Sequence, residues 1–91
     1  MKCAAMKMNE YQITYVAYDL MNKKPLNGEA VKTILEVATE QHPNASIVYS
    51  RWGDYYLKIN DKPNAITSYQ KAIALDPTDQ QSKEILDSLT K

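Results

Sequence analysis

A pattern that repeats after 34 residues constrains this chain more than any other feature. Tyr49-x2-Trp52-Gly53-x2-Tyr56 is followed by Ala65-x3-Tyr69 and then by Pro77. One period upstream stand Tyr15-x2-Tyr18-Asp19-x2-Asn22, Val31-x3-Leu35 and Pro43. Further identities fall on the same offset: Ile13 with Ile47, Lys24 with Lys58, Thr33 with Thr67, Ala38 with Ala72. A repeat of this length is one supersecondary unit that buries its apolar face against its neighbours. It builds a surface rather than a reaction centre.

The apolar spacing within each unit is helical. Val48, Trp52, Tyr55, Tyr56 and Ile59 follow one stripe, Val31, Ile34, Leu35 and Ala38 another, and Ala65, Ile66, Tyr69, Ala72 and Ile73 a third. No stretch alternates with period two for long enough to argue a strand. Pro25, Pro43 and Pro77 bias their preceding residues out of helical geometry. Asn27 and Asp61 are N-cap candidates, and Thr78 or Asp79 offers a cap to a last helix carrying Ile85, Leu86 and Leu89. The spacing predicts five helices, at about 10–23, 28–41, 46–59, 63–75 and 79–90. Short loops predict antiparallel neighbours.

The repeat resembles the tetratricopeptide repeat (TPR) family over residues 12–79. The resemblance implies an all-α fold: two helix-turn-helix hairpins, 12–45 degenerate and 46–79 well matched, with a capping helix over 79–90, in a short right-handed superhelical stack. Residues 1–9 read as a disordered leader or remnant and 10–91 as the domain. The resemblance implies that Gly53 lets two helices approach, that Ala65 and Ala72 face it, and that Trp52, Tyr56 and Tyr69 fill the space between helices. Asn60-Asp61 stands where the family usually has Gly-Asp. In the first repeat Asp19, Asn22 and Val31 replace small or aromatic residues, which implies a wider or tilted helix pair.

A narrower resemblance covers Gly28–Val31, Tyr49–Asp54 and Ala65–Ala72. These segments look like the C-terminal TPR tail of some bacterial serine β-lactamase-like and esterase-like exported hydrolases. That resemblance implies an accessory domain attached to an upstream catalytic domain. Localisation is open: cytoplasmic by default, exported if the chain is such a tail.

Composition excludes several functions. Among the 91 residues Lys plus Arg equal Asp plus Glu, so the formal net charge is zero. A nucleic-acid or anionic-membrane binder needs a basic excess. No apolar run approaches the roughly 20 residues of a membrane span. A single cysteine, Cys3, forbids an internal disulfide, and Cys3 with His42, the one histidine, falls short of a metal site. No glycine-rich phosphate loop or catalytic triad is apparent, so no enzyme, catalytic residue or cofactor is expected. His42 precedes Pro43 at a helix C-terminus, where an imidazolium favours the helix dipole. Asn44-Ala45-Ser46 matches a glycosylation sequon but reads more simply as an inter-repeat turn followed by a helix start.

What remains is a partner protein or peptide. In TPR proteins the first helix of each pair lines a concave groove. By the 3.6-residue period the groove candidates are Ile13, Val16, Leu20 and Lys24, then Ile47, Ser50, Arg51, Asp54 and Lys58. Some family members clamp a partner's C-terminal carboxylate with Lys, Asn and Arg at such sites. Here Val16 and Leu20 occupy two of them and only Arg51 offers the charge, which argues against a clamp. Arg51, Asp54 and Lys58 also have the spacing of surface ion pairs, worth about 0.3–0.5 kcal/mol each. The first helix, with Tyr11, Ile13, Tyr15, Val16, Ala17, Tyr18 and Leu20, is apolar nearly all round and invites a second contact: an upstream domain or, in a homodimer, a second copy. The leading expectation is a non-catalytic interaction or scaffolding module. An accessory domain of a larger hydrolase and a homodimerisation unit are the alternatives.

Overall fold

Of the five helices among the described residues, four begin on a short polar side chain that accepts the orphan backbone N–H groups of the first turn. In α1 (Glu10–Met21) Asn9 forms a reciprocal capping box with Gln12: the Gln12 backbone N–H donates to Asn9 Oδ1 at 2.8 Å and the Asn9 N–H to Gln12 Oε1 at 3.1 Å. Asn27 accepts from the Ala30 N–H at 3.1 Å to open α2 (Gly28–Gln41). Asp61 accepts from the Asn64 N–H at 3.3 Å to open α4 (Lys62–Leu75), with Pro63 in its first turn. Asp79 accepts from the Ser82 N–H at 3.1 Å to open α5 (Gln80–Thr90). Only α3 (Ser46–Lys58) starts on a residue without a side-chain cap, Ala45. The computed structural model describes residues 9–24 and 26–90. The expectations for the leader before Asn9, for Cys3 and for Pro25 lie outside the described residues.

The all-α expectation holds, with five helices close to the expected bounds. The largest difference is at α1, which stops at Met21 rather than at 23. There the Asn22 and Lys23 N–H groups donate to the carbonyls of Asp19 and Leu20, three residues back, and the Asn22 amide donates to the Tyr18 carbonyl at 3.1 Å. These bonds tighten and close the last turn. At the other end of the α3–α4 turn, Asn60 takes a left-handed φ of 63°. The Asp61 N–H reaches back to the Tyr56 carbonyl at 2.8 Å and the Asn60 N–H to Leu57 at 3.2 Å. This is a Schellman closure with asparagine where glycine is commonest.

Packing runs along the chain: α1 against α2, α2 against α3, α3 against α4, α4 against α5, with α1 also touching α3. The tightest seam is α3–α4, where the Tyr69 ring lies against Gly53 and Ala65 and Ala72 are the other buried residues of α4. Two apolar clusters fill the first half of the molecule. One holds Ala17, Met21, Val31, Leu35 and Tyr55; the other holds Ile13, Ala38 and Val48. Trp52 and Ile34 pack against both. The Trp52 indole N–H donates to Thr39 Oγ1 at 2.8 Å, so its polar edge is satisfied where it bridges α3 to α2.

Candidate functional site

The odd-numbered helices meet around an open cleft of about 440 Å³. α1 contributes Tyr18 and Met21, with Asn22 at its end; α3 contributes Arg51, Asp54, Leu57 and Lys58; α5 contributes Gln81. The α3 residues share one face because positions three and four apart lie above one another on a helix.

Arg51 organises the wall. Its Nη1 lies 2.8 Å from Asp54 Oδ2, and its guanidinium carbon sits 4.7 Å from the centroid of the Tyr18 ring. Salt bridge and cation–π contact hold the side chain across the gap between α3 and α1. Its Nε is buried without a hydrogen-bond partner. The second Asp54 oxygen, Oδ1, accepts a hydrogen bond from the Tyr69 hydroxyl, which arrives from α4 inside the fold. Burial, then that hydrogen bond and the Asp54 charge, push the Tyr69 phenol well above its ordinary pKa, against a smaller opposing effect from Arg51.

Beneath Arg51 lies a second polar knot. The Ser82 hydroxyl donates to Asp79 Oδ2 at 2.6 Å, the Ser50 hydroxyl lies 3.1 Å from the same oxygen, and the two serine oxygens are 2.8 Å apart. Partial burial opposes ionisation of Asp79. The Ser82 hydroxyl and N–H, the Ser50 hydroxyl and the Arg51 charge outweigh it and hold the carboxyl below its usual value. The knot ties α5 to α3.

No protein-family model matches this chain, and no curated protein or solved structure matches it either.

That geometry redistributes the groove residues expected from sequence. Arg51, Asp54 and Lys58 do share the cleft. Ile13 does not: it is 5% exposed, in the core with Ala38 and Val48. Ser50 is buried in the knot, and Ile47 lines a small recess of about 40 Å³ between α3 and α5. Leu20 packs against the first core cluster, Val16 is half-buried, and Lys24 is exposed beyond the end of α1; none of them lines the cleft. The reason is a rotation in the phase of α1. Its buried stripe is Ile13, Thr14, Ala17 and Met21, and the Thr14 hydroxyl is satisfied by the Glu10 carbonyl within its own helix. The buried threonine carries no apolar signal in the sequence, whereas Val16 and Leu20 do. The same phase brings Tyr18, Met21 and Asn22 to the cleft instead, and Leu57 from α3 and Gln81 from α5 complete it without having stood out in the sequence. The expected Arg51–Asp54 pair forms; the other ion pair among the described residues is Lys23–Asp19 at 3.5 Å, and Lys58 stays exposed.

Among the described residues no group of three His, Cys, Asp or Glu side chains could hold a metal ion, and no helix is long and apolar enough to cross a membrane. The cleft offers an aromatic ring, an ion pair, an exposed ammonium and two amides.

Proposed function

We propose that this chain is a non-catalytic protein-interaction module of the TPR type. The α1–α2 and α3–α4 hairpins are the two repeats, α5 is the cap, and the cleft on α1, α3 and α5 receives a segment of a partner protein. One observation carries the reading: three helices separated in sequence bring Tyr18, Arg51, Asp54, Lys58 and Gln81 to one open cleft. The helix order, the period and the close Gly53–Tyr69 seam support the repeat assignment.

The test is selection of peptide ligands from a displayed library, followed by chemical-shift mapping on the labelled protein. Ligand-induced shifts are expected at Tyr18, Leu57, Lys58 and Gln81. Tyr18→Ser with Lys58→Glu, both at exposed positions, is expected to weaken a selected ligand about tenfold or more while helicity is retained. Ligands indifferent to both changes, or a selection that returns none, would sink the proposal.

A second reading, an appendage of a larger chain such as a hydrolase or a dimerisation unit, is favoured by the α1 surface. Tyr11 and Tyr15 are each 67% exposed and continue as a stripe to Tyr18. Large exposed apolar surface of this kind marks contact sites. If α1 pairs with a second copy, the melting temperature rises with protein concentration, and Tyr11→Ser with Tyr15→Ser abolishes that dependence. A concentration-independent melt removes the dimer version.

A further inference from the structure

On the opposite flank of α3 from the proposed partner cleft lies a larger open cleft of about 700 Å³, between α2 and α3. Its floor is aromatic. Trp52 and Tyr56 stack with centroids 5.7 Å apart and planes 25° apart, and Tyr55 meets Trp52 edge-on at 5.8 Å. The hydrogen bond from the indole N–H to Thr39 fixes the Trp52 ring and uses up its donor, so the ring presents only its π surface. The α2 rim carries Lys32, Glu36 and Glu40 at successive i, i+4 positions, all exposed. Among the described residues neither glutamate forms an ion pair. Thr39 lies between the two glutamates in the chain, so its bond to Trp52 places the aromatic floor level with the acidic end of the rim.

We infer that this cleft is a docking site for an arginine-bearing segment of a partner protein. A guanidinium lies flat on a stacked aromatic pair and is held by the ring quadrupole. The same planar group donates paired hydrogen bonds to a carboxylate, and Glu36 and Glu40 stand at the edge of the floor to accept them. An apolar occupant would cover two carboxylates without compensating them, which costs free energy. An acidic occupant would meet like charge. Lys32 at the far end of the rim fixes direction: the cationic side chain points towards Glu40, away from Lys32.

Trp52 is the sole tryptophan of the chain, so its fluorescence reports occupancy directly. The probe is a capped six-residue peptide carrying three arginines, with a glutamate version as control, titrated into the full chain. A saturable change in Trp52 emission is expected with the arginine peptide only. Glu36→Lys with Glu40→Lys is expected to weaken it about tenfold or more, and Glu36→Gln with Glu40→Gln by a smaller factor. Both positions are exposed, so circular dichroism melts should match the parent. Lys58→Glu, across α3, is expected to leave this binding unchanged, which separates the site from the first cleft. No saturation up to the peptide's solubility limit, equal response to the glutamate peptide, or full binding by the double lysine variant would overturn the proposal.

Discussion

Replacing Tyr69 with alanine is expected to lower stability by about 3–5 kcal/mol, the range for emptying a buried aromatic site. Tyr69 is fully buried at the α3–α4 seam. A domain of this size has about 5–14 kcal/mol in total, so the variant sits near or past its folding limit at physiological temperature. Urea denaturation followed by circular dichroism measures the loss, and a loss below about 1 kcal/mol would mean the seam does not hold the fold. Tyr69→Phe isolates the hydroxyl. It leaves Asp54 Oδ1 short of a donor and should cost about 1–2 kcal/mol. The same pair predicts an alkaline signature. The phenol is raised in the folded state above its ordinary value of 10.0, so its contribution is complete below pH 10 and is lost as pH rises further. The parent should therefore lose stability faster than Tyr69→Phe above pH 10.

Gly53→Ala is the second large effect. A methyl group added at Gly53 would lie 2.6–2.7 Å from Cζ, Cε1 and Cε2 of Tyr69, inside van der Waals contact with the ring face. The ring has nowhere to go, because it is fully buried and its hydroxyl is held by Asp54. Overpacking of this kind costs about 1–3 kcal/mol. The upper end applies here, against a gain of about 1 kcal/mol in helix propensity. The net expectation is a loss of about 1–2 kcal/mol, and more for Gly53→Val. Tyr69→Leu removes the clashing end of the ring, so the double variant with Gly53→Ala should be more stable than the sum of the singles predicts. Strict additivity would mean that the two residues do not meet as described.

The close approach at Gly53 was legible only through the family resemblance, which implies a small residue there and Tyr69 filling the space between helices; the Tyr69 ring does lie against Gly53. Helix starts were readable from the residues themselves: Asn27 and Asp61 cap the helices they precede. The cleft was readable on α3, where Arg51, Asp54 and Lys58 follow the helical period, and unreadable on α1. There the buried face depends on Thr14, whose hydroxyl finds its acceptor inside the helix, a fact carried by geometry and not by residue type. Nor could spacing show that Asp54 faces two ways, to Arg51 at the surface and to Tyr69 inside. The aromatic floor of the second cleft was assigned to packing alone, because half-burial of Trp52 and Tyr56 is a property of the assembled helices.

Trp52 and Ile34 belong to both apolar clusters at once. Repeat proteins are often described as stacks of nearly independent units coupled only at their borders. In this chain Trp52 and Ile34 fill the interior on both sides of the α2–α3 border, so neither helix pair keeps a complete core if the other departs. The consequence is one melting unit: loosening α1 from α2 exposes side chains that α3 also relies on, and the first half of the molecule opens together or not at all.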